Sequence, residues 1–321
     1  MEINKDVIWQ ILKLVTAFGL IGAIISQVHL ESIAALWQRS SVAWFLLSIL
    51  AFYAVLWSTA RRYWILIGTK ISFHDLLLVV LYQNIMGNLI TSAAGSAWYV
   101  GVLRDKHNVQ ITNGLQSLLL ARFGDLLVVL VSLSFATLAV WRQIPTLHVV
   151  VTVAIFLLVA VALIFLLSFI FRRRLVGIVG RIVDKFHLHQ KGYVRRIFAG
   201  FIEFSNEEIE SRLRIGAFVG YSVLILATML VFAYSSLQIF GVHIEIWPII
   251  FVVTLTQVIS FVPVQVFGGL GLYDFTYLYL YGLFVVEHFE FATVVVGLRI
   301  CFYLANFALL PIVGITTWSR K

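Results

Sequence analysis

The 321 residues predict an all-α polytopic membrane protein, with about six transmembrane helices plus two re-entrant hairpins arranged as an inverted repeat. Three observations predict it. The chain is 61% hydrophobic and 12% charged, whereas soluble domains carry about 25% charged residues. Apolar runs long enough to cross hydrocarbon recur along the whole length. Lys and Arg gather in alternate connecting segments.

The runs lie at 7–27, 42–60, 113–140, 148–171, 215–240 and 291–317. Each supplies the roughly 20 residues a span needs, 42–60 falling just short. Lys5 and Lys13, with no small-residue cleavage site after Ser26, make the first run a retained span rather than a removed leader. No segment is long and polar enough to build a soluble core, so 1–321 is expected to be a single integral membrane domain.

Charge sets the expected topology. Segments 1–6, 61–75, 101–112, 172–214 and 318–321 hold 1, 3, 2, 10 and 2 Lys plus Arg, eighteen in all. Segments 28–41, 141–147, 241–247 and 286–290 hold only Arg39 and Arg142. The positive-inside bias then places both termini in the cytoplasm and the protein in the inner membrane. The net charge of +8 is accounted for in this way, without invoking nucleic acid. Trp44, Trp141, Trp247 and Trp318 fall at expected span ends, where an indole is favoured.

Two apolar regions are interrupted. Both flanks of 76–100 carry the cytoplasmic signature, so this segment is expected to enter and leave from the same side. By parity both flanks of 248–285 face outside, and this segment is either a re-entrant hairpin or two short spans. It contains the run from Phe261 to Asp274, where Pro263, Gly268, Gly269 and Gly271 break a hydrophobic helix. Irregular backbone at membrane depth survives only where protein or trapped water covers it, so such a break marks a candidate site. A plain turn between two short helices is the simpler alternative.

The regions also share a layout. Gly95 precedes Arg122 by 27 residues, and Gly269 precedes Arg299 by 30, each arginine lying inside the next apolar run. Broken segments of opposite orientation suggest an inverted repeat with a site between them. The segment 172–214 is different. Leu175, Ile178, Val179, Ile182 and Phe186 are at helical spacing, interleaved with Arg172, Arg173, Arg174, Arg181 and Lys185. It is expected either to lie on anionic inner-leaflet lipid as a cytoplasmic amphipathic basic segment or to be a solvated loop.

The run from Leu103 to Val109, followed by Leu118-Leu119-Leu120-Ala121-Arg122-Phe123-Gly124-Asp125-Leu126-Leu127, resembles the transmembrane region of lysylphosphatidylglycerol synthases. That region is shared by a large flippase-like family of bacterial and archaeal membrane proteins. Pro263 to Asp274 is similar to the family's second motif, a proline followed by Gly-Gly-x-Gly and an acid, and Arg299 to the arginine of its last region. The resemblance covers nearly the whole chain. Ser96 stands where the family's first motif carries an acid, Trp98 and Tyr99 where it carries a base, and Asp274 where glutamate is usual. The soluble aminoacyl-transferring domain has no counterpart in these residues, so no synthesis of aminoacylated lipid is expected.

Within the spans Arg122 and Asp125 are three residues apart, close enough on one helix face to pair. They are read either as a structural ion pair or as part of an anion site, in which Arg122 and Arg299 hold a lipid phosphate. Asp274 is either a proton or ion carrier or a helix cap. Gly268, Gly269 and Gly271 either present N–H groups to a phosphate or permit close packing. Asn84, Asn88, Ser92, Gln257 and Gln265 are expected to receive a polar head group.

The lone Cys301, and His187 and His189 without ligand-spaced neighbours, suggest no metal. No cofactor and no catalytic constellation is expected. The resemblance implies translocation of a phospholipid or polyprenyl-linked glycan. The alternative is a non-catalytic membrane subunit that anchors or regulates a glycosyltransferase or another envelope-biosynthesis enzyme.

Overall fold

A computed structural model of the protein describes residues 37–38, 40–68, 71–149, 151–153, 155–156, 159–160, 163, 212–260, 271–284 and 288–308. Among these residues all regular structure is helical. The expected span 7–27, most of 148–171, the basic segment 172–214 and the run 261–270 lie outside the described residues.

Eight α-helices carry the architecture: α1 (Val42–Ile67), α2 (Phe73–Leu89), α3 (Ser92–His107), α4 (Ile111–Val140), α5 (Arg212–Ile239), α6 (Ile246–Ile259), α7 (Leu272–Gly282) and α8 (His288–Phe307). Two short 3-10 turns, Trp141–Gln143 and Pro145–Leu147, follow α4. Among the described residues three helices are long and apolar enough to cross a membrane, over Val42–Ile67, Ile111–Gln143 and Gly216–Ile239. Their outward faces expose Leu46, Leu50, Val131, Phe135, Leu138 and Val223, as contact with lipid requires. The protein is therefore a multi-pass membrane protein.

The helix of the second expected span runs further than its apolar run. It ends at Ile67, so Arg61 and Arg62 lie inside α1 rather than in a cytoplasmic flank. Arg61 is kept there by aromatic faces, its guanidinium carbon 3.9 Å from the Phe73 ring centroid and 5.2 Å from that of Trp57. Contacts of this kind are worth about 0.5–2 kcal/mol and offset part of the cost of withdrawing the charge from water.

The broken segment 76–100 is a helical hairpin. Seventeen residues of α2 and sixteen of α3 give arms of about 25 Å, short of the roughly 30 Å of hydrocarbon. The chain can turn because Thr91 leaves the helical conformation and its Oγ1 accepts a hydrogen bond from the Ala94 N–H at 3.1 Å. That bond satisfies one of the donors that a new helix start leaves open. Ser72 caps α2 similarly, accepting from the Asp75 N–H at 3.1 Å and donating to Asp75 Oδ2 at 2.7 Å.

The arms touch at Gly95, where an added Cβ would stand 2.5 Å from the Gln83 carbonyl oxygen and 3.0 Å from the Gly87 nitrogen. Ala60, Tyr63, Ile71, Leu76, Leu103 and Val109 share one buried cluster. The hairpin thus begins and ends where α1 finishes, at the end of the bundle carrying Arg104 and Lys106.

The second interrupted region sits at the other end. The Ser41 N–H donates to the Ile239 carbonyl at 2.9 Å, joining the start of α1 to the finish of α5. Val140, Ile144, Leu237, Ile249 and Tyr281 belong to the core cluster there. Phe251 in α6 meets Phe284 just beyond α7, with ring centroids 6.1 Å apart, and Tyr281 meets Phe291 at 5.6 Å. The start of α6, the finish of α7 and the start of α8 therefore lie together. At fourteen and eleven residues, α6 and α7 measure about 21 and 17 Å, and neither spans alone.

Gly95→Ala is expected to destabilise the protein by roughly 1–3 kcal/mol, since backbone rather than a yielding side chain meets the new methyl. Gly101→Ala, where a Cβ meets nothing within 4 Å, is expected to be neutral or slightly stabilising. Thermal denaturation of the two variants in one detergent checks the difference.

Candidate functional site

A cavity of about 420 Å³ lies between the α2–α3 hairpin on one side and the finish of α6 with the start of α7 on the other. Pockets that hold small molecules run from about 300 to 1,000 Å³. The first hairpin contributes Gln83, Asn84, Gly87, Asn88, Ser92 and Ser96, and the second region Thr256, Gln257, Ser260, Tyr273, Asp274 and Tyr277. Arg122 of α4, Ser236 of α5 and Arg299 of α8 add to the polar lining. Phe52, Leu56, Met229, Phe232 and Phe302 form an apolar side.

Seven residues expected from the sequence thus line one cavity: Arg122, Arg299, Asn84, Asn88, Ser92, Gln257 and Asp274. Gln265, Gly268 and Gly269 lie outside the described residues. Asp125 and Gly271 are described but are not part of the lining.

Asp125 does not pair with Arg122. Its carboxylate faces Arg62 of α1, with Arg62 Nη1 on Oδ1 and Arg62 Nη2 on Oδ2 at 3.1 Å. Arg62 Nη1 also donates to Ser222 Oγ of α5 at 3.1 Å. The Arg62 side chain is 3% exposed and that of Asp125 28%. Two bonds in one plane suit a guanidinium–carboxylate fork, and an i,i+3 neighbour on the same helix reaches that geometry less easily. The pair therefore ties α1, α4 and α5 together.

Arg122 is left exposed in the lining, without a hydrogen bond or ion pair among the described residues. Arg299 is placed differently. Its Nε and Nη2 donate to Asp274 Oδ1 and Oδ2 at 2.7 and 2.8 Å, with side chains 14% and 12% exposed. The rings of Phe302 and Tyr303 lie 5.7 Å from the Arg299 guanidinium carbon.

Asp274 also acts as a cap. Its Oδ2 accepts the Gly271 N–H at 2.9 Å, and as an acid in the first turn of α7 it opposes the positive end of the helix dipole. Gly271 takes φ 83° and ψ −53°, a backbone conformation open to glycine and strained for other residues. Its role in the described structure is thus to start α7.

Asn84 and Asn88 are joined to a residue that sequence reasoning missed. Asn306 Oδ1 of α8 accepts from both of their amides at 2.9 Å, and Asn88 Nδ2 also donates to Asn84 Oδ1 at 3.1 Å. Asn306 is 2% exposed. A buried amide deep in a span is the signal that pointed to it.

Arg62 was missed because it follows the apolar run. The clue was its position within two residues of that run's end, still in helical register. Thr256 is 5% exposed, lines the cavity and has an Oγ1 with no protein partner. Gln83 Oε1 is likewise buried and unpartnered. Among the described residues, no three His, Cys, Asp or Glu come together as metal ligands.

Removing either member of the Arg62–Asp125 pair strands the other charge. Arg62→Ala and Asp125→Ala are each expected to cost about 3–5 kcal/mol. Arg62→Met combined with Asp125→Leu is expected to be less damaging than either single change. A double-mutant cycle by denaturation in detergent checks this, and additive losses would show that the pair carries no coupling.

No curated protein matches the sequence. The family described as lysylphosphatidylglycerol synthase TM region matches residues 10–309, which takes in α1 to α8 and every residue of the cavity lining. The chain belongs to the lysylphosphatidylglycerol synthase transmembrane-region family.

Proposed function

We propose that the protein moves a phospholipid or lipid-linked saccharide from one leaflet of the cytoplasmic membrane to the other. The observation that carries this reading is the polar cavity inside an apolar bundle, lined by the α2–α3 hairpin, the finish of α6, the start of α7, Arg122 and Arg299. A head group crossing hydrocarbon needs such a place, because each unsatisfied polar group costs several kcal/mol there. The family's name supports a role in lipid or envelope chemistry.

In this reading the chain has six spans, two re-entrant hairpins and both termini in the cytoplasm. Lipid tails stay in the bilayer while the head group enters between the tips. Arg122 meets the phosphate. Ser92 and Gln257, with the Asn84–Asn88–Asn306 cluster behind them, exchange hydrogen bonds with the rest of the head group. Motion of one tip against the other opens the cavity to each leaflet in turn, as in transporters built on broken-helix repeats. No covalent bond is made or broken. The basic segment 172–214 would hold the protein against anionic lipid on the cytoplasmic side.

Reconstituted protein in liposomes is expected to speed exchange of a fluorescent anionic phospholipid or a polyprenyl-linked saccharide between leaflets. Arg122→Ala is expected to lower that rate about tenfold or more, the equivalent of losing one charge-assisted hydrogen bond. Folded protein that exchanges neither class of lipid above the rate of empty liposomes overturns the reading.

A further inference from the structure

The two halves of the bundle treat their arginines differently. In the second half, Asp274 is the third residue after the cap of α7, and it neutralises Arg299 from the next helix through two hydrogen bonds. In the first half, the third residue after the Thr91 cap of α3 is Ala94. Arg122 in the next helix therefore lacks that carboxylate, and Arg62 occupies the other nearby acid, Asp125. The charged groups of the described lining are Arg122, Arg299 and Asp274. With the last two paired, one positive charge remains and no carboxylate lacks a cation.

The rest of the lining asks for a neutral partner. Beyond the charged groups, the polar side chains of the described lining are neutral hydroxyls and amides, among them Ser92, Ser96, Gln83 and Gln257. Hydroxyls and amides suit a polyol. An ammonium ion entering the same space would meet Arg122 and find no unpaired carboxylate among the described lining residues, and an uncompensated charge in a low-dielectric site costs several kcal/mol.

We propose that the cavity selects lipid head groups carrying one phosphodiester charge and an otherwise uncharged, hydroxyl-rich group, and rejects cationic, aminoacylated head groups. This rests on the translocation reading for its setting but concerns binding alone. The specificity lies in the missing acid of the first half. Arg122 accepts the phosphate because Ala94 leaves it unpaired, while Arg299 serves α7 and α8.

The test measures binding of dioctanoyl-phosphatidylglycerol, dioctanoyl-lysylphosphatidylglycerol and dioctanoyl-phosphatidylethanolamine to the purified full-length protein by titration calorimetry. Phosphatidylglycerol is expected to bind about tenfold or more tightly than the other two, on the scale of one hydrogen bond to a charged group. Arg122→Gln is expected to erase the preference, Arg122→Lys to keep it, and Arg122→Glu to reverse it in favour of the lysyl lipid.

Equal affinity of the wild-type protein for the lysyl lipid, or an unchanged preference in Arg122→Gln, overturns the proposal. Arg122 makes no hydrogen bond or ion pair among the described residues, so its substitution removes no protein contact of that kind, and matched melting temperatures verify the fold. Selective binding without leaflet exchange upholds this inference and sinks the translocation reading. Exchange without head-group charge preference does the opposite.

Discussion

A charge drawn into hydrocarbon costs several kcal/mol unless an opposite charge meets it there. Much of this bundle can be understood as a response to that constraint. Arg62 and Asp125 join α1 and α4, with Ser222 of α5 on the same guanidinium. Arg299 and Asp274 join α8 to α7. Neither pair is strong evidence of net stabilisation, because desolvation offsets much of the attraction. Their consequence is positional: once buried, each partner fixes where the other's helix can sit. Arg122, left out of both pairs, is free to face the cavity.

Backbone groups obey the same constraint, which explains the shape of the hairpins. A helix that stops inside the bilayer exposes donors that water cannot reach. The first break answers with the Thr91 hydroxyl on the Ala94 N–H, and the second with the Asp274 carboxylate on the Gly271 N–H. The two solutions are not equivalent. The neutral cap carries no charge, while the acidic cap also accepts two hydrogen bonds from Arg299 of α8.

Much of this was legible beforehand, and the exceptions have physical causes. The helices 111–140 and 212–239 followed from apolar runs of sufficient length, and 42–67 from a run just short of it, which α1 extended through Arg61 and Arg62. Hydropathy underestimates a helix whose last turns hold charges that tertiary partners neutralise. The hairpin 73–107 followed from charge on both flanks, and its tip from the small polar residues near 88–96. Asn84, Asn88, Ser92, Arg122, Gln257, Asp274 and Arg299 were recognisable as polar groups inside apolar segments, and the cavity gathers all seven. Asn306 carried the same signal less visibly, alone in a long apolar run. Gln83 carried it too, beside Asn84, whereas Thr256 carried none, since a lone hydroxyl in a helix usually satisfies itself on the carbonyl one turn back.

The sequence by itself determined the solvent of this protein, the order of the three long apolar helices among the described residues, and the place where the α2–α3 hairpin turns. These are local properties, set by the hydrophobicity and backbone preference of contiguous residues. Partner choice was decided only by the tertiary structure. Helical spacing made Arg122 and Asp125 a plausible pair, yet Asp125 turns to Arg62, 63 residues away, because a guanidinium from a neighbouring helix can meet both carboxylate oxygens at once. Which arginine keeps an unpaired charge depends on which helices lie side by side, and no stretch of sequence contains that information.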